Sequence, residues 1–154
     1  MTKLNPYLSF RTEARAALEF YQSVLGGDLD ISAFGDMPAP GMENVDGNLV
    51  MHGQLETPNG LTLMAADSPD VEGMPPYAAP TAGVTVALTG SSADHEYIAA
   101  AFEKLSDGAS DILPFEKAPW GDFYGQLKDK FGISWMFDAA TPESEAAVAA
   151  GQQG

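Results

Sequence analysis

Two stretches of this chain repeat one order of elements, and that repeat limits the folds open to it. In the first stretch, "LNPYLSFR" alternates. Leu4, Pro6, Leu8 and Phe10 fall on one side and Asn5, Tyr7 and Ser9 on the other, which is the period of a strand. "TEARAALEFYQSVLGGDL" then carries Ala14, Ala17, Leu18, Tyr21 and Leu25 at helical spacing, with Thr12 as the expected N-cap and Gly26-Gly27 as the stop. Three strands follow. "DLDISAFG" precedes a Pro-, Gly- and Asp-rich loop, and "NLVMHGQLE" and "LTLMAAD" are joined by the turn Pro58-Asn59-Gly60. After the Pro-rich "SPDVEGMPPYAAP" the pattern restarts. "GVTVALTG" is a strand, Ser91 or Ser92 caps a helix over "ADHEYIAAAFEKLSDG", "SDILPFEKAP" is a strand interrupted by Pro114, and "WGDFYGQLKDK" and "FGISWMFD" close as a hairpin.

The expected fold is therefore α+β, built from paired βαβββ modules. The first spans 1–68, a linker 69–80, the second 81–140, and the tail 141–154 has little to bury, so it is expected to be disordered or a frayed helix. Two curved mixed sheets, each backed by one helix, can enclose a cavity. Alternation assigns Leu8, Phe10, Leu49, Met51, Leu55, Leu61, Leu63, Val84, Val86, Leu88, Ile133, Trp135 and Phe137 to the helix-facing core. It assigns Asn5, Tyr7, Val50, His52, Gln54, Thr62, Met64, Thr85, Ala87, Ser134 and Met136 to the opposite face. A one-residue slip in any strand would exchange its two sets.

Composition narrows the chemistry. With no cysteine there is no disulfide, thiolate metal site or cysteine nucleophile. Twenty-two acidic residues against 7 basic ones give a net charge of −15, which repels a nucleic-acid backbone and reads either as solubility with weak self-association or as a preference for cationic small ligands. No apolar run approaches the roughly 18 residues of a membrane span. The expected setting is a soluble, cytoplasmic protein with no membrane partner. Neither GxGxxG, GxxxxGK[ST] nor GxSxG occurs.

His52 has two readings: a general base or ligand-orienting donor on the open face, or a hydrogen-bonded structural histidine. His95, beside Asp94 and Glu96, reads as solvated surface. Trp120, Phe123 and Tyr124 read as a cavity rim or as ordinary packing, and Gly121 and Gly125 bracket them. Trp135 reads as core.

The paired βαβββ order resembles the vicinal oxygen chelate (VOC) superfamily of glyoxalases, extradiol dioxygenases and bleomycin-resistance proteins. "NPYLSFRTEARAALEFYQSVLGG", "MHGQLE", "LMAADSP" and "PWGDFYGQLKDKFGISWMFD" are similar to its PhnB-like branch, over about Leu4 to Asp138. The resemblance implies a VOC/glyoxalase-like fold, a small-molecule ligand and a homodimer. In metal-using members, His and Glu occupy four positions equivalent here to Asn5, Met64, Thr85 and Met136. An amide, a hydroxyl and two thioethers are poor donors for a hard divalent ion, so no metal ligand and no cofactor are expected, a divalent metal being the family alternative.

The expected function is small-molecule binding between the modules, with Asn5, Tyr7, His52, Gln54, Met64, Thr85, Trp120, Tyr124 and Met136 as ligand contacts and His52 as the one catalytic candidate. Metal-dependent lyase, isomerase or dioxygenase chemistry and antibiotic sequestration are the alternatives. Methyl transfer, a label used for the branch, would want a glycine-rich cofactor loop in a doubly wound domain.

Overall fold

The structure, a computed structural model, describes residues 1–37, 39–72, 76, 77, 79 and 83–152. It divides into two units, Met1–Pro80 and Thr81–Gly154. The expected linker 69–80 includes residues 73–75, 78 and 80, which lie outside the described ones, as do 81–82 and the last two residues of the tail.

The first unit contains β1 (Tyr7–Phe10), α1 (Ala14–Leu25), β2 (Asp28–Ala33), β3 (Val50–Glu56) and β4 (Thr62–Asp67). Its sheet has the order β1-β4-β3-β2, with β1 and β4 parallel and the other pairs antiparallel. The second unit contains β5 (Val86–Gly90), α2 (His95–Leu105), β6 (Ser110–Lys117), β7 (Phe123–Lys128), β8 (Ser134–Ala139) and α3 (Pro142–Gln152). Its sheet runs β5-β8-β7-β6, again with one parallel pair, β5 and β8. The fold is α+β: two four-stranded mixed sheets, α1 packing on the first and α2 on the second. No helix among the described residues is long and apolar enough to cross a membrane.

Each core lies between helix and sheet. Ala14, Ala17, Leu18 and Tyr21 of α1 are fully buried with Phe10, Leu55, Leu63 and Ala65. Ile98, Ala101 and Leu105 of α2 are buried with Trp135 and Phe137, as the alternation of the closing hairpin predicts. The two turns before β4 and β8 are homologous in position: Thr57 and Gly60 of the first correspond to Asp129 and Gly132 of the second. Both glycines have positive φ, 84° and 85°, which suits a residue without Cβ.

The structure corrects several sequence expectations. Val50 is completely buried on the helix side, not on the open face, and Leu49 and Met51 are only half-buried. The cause is a β-bulge. Ser32 pairs with His52 and the next residue, Ala33, with Val50, so Met51 is an extra residue and the alternation changes phase across it. Leu61 and Val84 lie outside the strands and are exposed. Thr12 does not cap α1. Asp67 does so from the end of β4: its carboxylate accepts the Ala14 N–H at 2.9 Å and the Val50 N–H at 2.9 Å. The tail, expected to be disordered or a frayed helix, carries α3 (Pro142–Gln152), and its first turn is tied down. Thr141 and Ser144 cap each other reciprocally, at 2.9 and 3.1 Å. The Glu145 carboxylate accepts the N–H and the hydroxyl of Ser92, both at 2.8 Å.

Candidate functional site

Side chains that alternate away from the helix form the open face of each sheet. In the first unit, register sets Tyr7 beside Met64, Met64 beside Gln54, and Gln54 beside Asp30. His52 falls one step along β3 on the same face, opposite Ser32. The Tyr7 hydroxyl lies 3.4 Å from His52 Nδ1 and the ring centroids are 5.8 Å apart. Gln54 donates to Glu56 at 2.8 Å. Tyr7, His52, Gln54 and Met64 are thus brought together as one surface carrying a phenol, an imidazole, an amide and a thioether. Tyr7 remains 51 % exposed, so its hydroxyl can turn to a ligand. Asn5 precedes β1, and the register places Tyr7, not Asn5, next to Met64.

The second unit repeats the pattern with different residues. Met136 stands between Ala87 and Gln126, and Asp138 between Thr89 and Tyr124. Trp120, in the turn before β7, lies edge-on to Tyr124 with centroids 5.4 Å apart. Gln126 donates to the Tyr124 hydroxyl. Thr85 precedes β5 and borders a hollow of about 270 Å³ with Gln126, Lys128 and Ser134. Gln126 was missed in the sequence, although it lies two residues beyond Tyr124 and corresponds to Gln54 in the first unit. Phe123 does not belong to a rim. It faces the helix side, where His95 meets it edge-on at 4.6 Å and meets Phe115 at 5.6 Å. His95 is therefore half-buried in an aromatic cluster instead of solvated.

Asp138 is the other residue that sequence reasoning missed. Burial first, and then a hydrogen bond and charge repulsion from Asp122, push its carboxyl up to about 6. Nothing in the sequence signals this, because Asp122 reaches it from another element.

A further concavity of about 610 Å³ lies in the first unit at the ends of β1 and β4, rimmed by Arg11, Asp46, Asp70 and Glu72. None of the site residues expected from the sequence lines it.

The fit of a divalent ion can be judged from the donors. By register, the positions beside one another on β1 and β4 hold Tyr7 and Met64, and those on β5 and β8 hold Ala87 and Met136. Two thioethers, a methyl group and a single phenol, with no imidazole or carboxylate among them, do not make a set that suits zinc, manganese or iron(II). Among the described residues no group of three or more His, Asp or Glu side chains is placed to hold an ion.

Residues 2–137 match the family described as 3-demethylubiquinone-9 3-methyltransferase. Protein PA1353 from Pseudomonas aeruginosa is 28 % identical with a TM-score of 0.75, over 91 % of this chain and 98 % of that one. A PhnB protein from Bacillus cereus is 27 % identical with a TM-score of 0.67, over 90 % of this chain and 100 % of that one. A glyoxylase/bleomycin resistance protein/dioxygenase domain from Frankia sp. EAN1pec shares the fold at 13 % identity and a TM-score of 0.59, over 92 % and 94 % of the two chains.

Proposed function

Given that this chain belongs to the 3-demethylubiquinone-9 3-methyltransferase family, the PhnB-like branch of the VOC superfamily, we propose that it binds a small organic molecule on its open sheet faces without a superfamily-type divalent metal. One observation carries the reading. The face residues that register places side by side, Tyr7, Met64 and Gln54, offer hydrogen-bonding and soft apolar contacts, the mixture that suits an organic ligand. Asn5 and Thr85, just outside the strands, and Trp120, Tyr124 and Met136 in the second unit are proposed as further contacts.

His52 is the residue best equipped to exchange a proton with such a ligand, because Tyr7 already holds its Nδ1 side. Methyl transfer, the activity in the family's description, is not part of the proposal. Each unit is a four-stranded mixed sheet, whereas a nucleotide-type methyl donor calls for a glycine-rich loop at a helix N-terminus. The net charge of −15 favours cationic ligands by long-range attraction, and sequestration of such a molecule is the version of binding that needs no chemistry.

Melting curves test the proposal. Chelator-treated protein is expected to show no shift with Ni, Zn, Mn or Fe(II), and a rise with an organic ligand from a panel that starts with cationic compounds. A ligand at about 100 times its Kd adds about 2.7 kcal/mol, or roughly 5–10 °C for a chain of this size. The rise should shrink in His52→Ala and Gln54→Ala. A metal-induced rise of that size, abolished by His52→Ala, would instead establish metal-dependent lyase, isomerase or dioxygenase chemistry as the working reading.

A further inference from the structure

The concavity of about 610 Å³ at the ends of β1 and β4 in the first unit has the size of a small-molecule site and belongs to neither open face. One wall is the loop 39–49, which a run of backbone bonds holds in shape: Met42 N–H to the Ala39 carbonyl, Val45 to Met42 and Leu49 to Asp46, each at 3.1 Å. A second wall is 68–72, fixed at its start by the Ser68 N–H on the Phe10 carbonyl at 2.8 Å. Arg11 and Thr12, between β1 and α1, complete the lining.

The lining carries charges of both signs that do not pair with one another. Among the described residues Arg11 makes no ion pair, although the chain has 22 acidic residues against 7 basic ones. Its guanidinium lies instead over the Tyr77 ring, 5.5 Å from the centroid. Asp70 and Glu72 make no ion pair or side-chain hydrogen bond among the described residues. Asp46 uses one oxygen, on the Asn48 N–H at 2.9 Å. Asp67 has taken over the capping of Ala14, which leaves the Thr12 hydroxyl, like that of Ser68, with no partner among the described residues. Opposite charges that share a cavity without touching leave room between them for a molecule of complementary charge.

We propose that this cavity binds a basic amino acid or a molecule of the same chemistry: one carboxylate, a methylene chain and two cationic nitrogens. Arg11 receives the carboxylate, as a guanidinium does best, and the free hydroxyls of Thr12 and Ser68 can add donors. Asp46, Asp70 and Glu72 receive the cationic groups. Val45, Leu49 and Val71 line the same space and give the methylenes apolar contact. The charge count selects this class. One cation and three carboxylates in the lining repel a simple anion and favour a ligand of net positive charge. A metal ion does not fit, because no three acidic groups among the described residues are placed to hold one. The carboxylates are therefore suited to separate nitrogens. The cavity shares no residue with the open-face site, so the two sites can be tested apart.

The experiment is a backbone-amide NMR titration of the full chain, at low salt and millimolar ligand, with three probes. Lysine carries the whole pattern, cadaverine lacks the carboxylate, and norleucine lacks the side-chain ammonium. Lysine is expected to bind most tightly, with shifts concentrated at 41–49 and 68–72. Arg11→Gln should act in opposite directions on two probes. It removes the partner of the carboxylate, weakening lysine about two- to fivefold, and it removes a repelling charge, strengthening cadaverine. A variant that merely failed to fold would weaken both. Asp70→Asn combined with Glu72→Gln should weaken lysine and cadaverine alike. These side chains are exposed, so the variants should keep the circular dichroism of the wild type. His52→Ala should leave lysine binding unchanged, which separates this cavity from the open-face site. No shifts with lysine, shifts centred on open-face residues such as Gln54, or an Arg11→Gln change of the same sign for lysine and cadaverine would each overturn the proposal.

Discussion

The two units end their central strands with an acid displaced by one residue, and the displacement changes what the acid does. In the first unit the acid is Asp67, which points to the helix side, is only 5 % exposed and joins Ala14 of α1 to Val50 of β3. In the second unit the position corresponding to Asp67 is Ala139, and the acid is Asp138, one residue earlier. Successive residues of a strand face opposite ways, so Asp138 looks out from the open face. The second helix, α2, has no side-chain cap of its own, and it is the 3-10 turn Ser92–Asp94 leading into it that finds acceptors. Asp94 accepts the N–H and the hydroxyl of Ser91, both at 2.9 Å, and Glu145 of α3 accepts from Ser92. A duplicated fold tolerates this exchange because the helix start needs acceptors but not one particular source of them.

The turns before β4 and β8 differ in the same spirit, and they give the largest expected effect. Asp129 accepts from the N–H of Phe131 at 2.8 Å, the N–H of Ile133 at 3.1 Å and the indole N–H of Trp135 at 2.8 Å. Thr57, its counterpart, accepts the Leu61 N–H at 3.0 Å. Removing a buried charged acceptor from three donors should cost about 3–5 kcal/mol for Asp129→Ala, against about 1 kcal/mol for Thr57→Ala. Urea denaturation followed by circular dichroism measures both, and equal losses would show that the two turns are equivalent despite their chemistry. Between these extremes, Asp67→Ala strands two backbone donors and should cost about 2–4 kcal/mol. Glu145→Gln keeps the shape and removes only the charge, so it should cost about 0.5–1 kcal/mol. A Glu145 loss as large as that of Asp67 would place the stability of the second unit in α3.

How much of this could be read beforehand depends on how local the cause is. The repeated strand and helix order, the closing hairpin and the burial of Trp135 and Phe137 follow from alternation within each segment. Val50 was misassigned because the bulge at Met51 is a property of the β2–β3 pairing, which no window of one strand contains. Thr12 was misassigned as a cap because the true acceptor for Ala14 is 53 residues away. The tail read as disordered or a frayed helix, since its anchors, Ser92 and Gly121, are remote in sequence. In the candidate site, Tyr7, Gln54 and Met64 were legible as one face by period, whereas the approach of Tyr7 to His52 and of Asp122 to Asp138 required the sheet to be assembled.

The smallest expected effect sharpens the opening comparison directly. Asp138 has a folded-state value of about 6, above its ordinary 3.8. Between those values the folded state binds more protons than the unfolded one, so stability falls as pH rises through that window and is level above it. The difference between the wild type and Asp138→Asn isolates this contribution from the other carboxylates. The urea midpoint of the wild type, relative to that of the variant, should decline from about pH 4.5 to about pH 6 and then stay constant. Because Asp138 keeps partial access to water, the decline will be much less than the loss expected for Asp129→Ala. A midpoint difference that rises with pH over this window would mean that Asp138 is stabilised as a carboxylate.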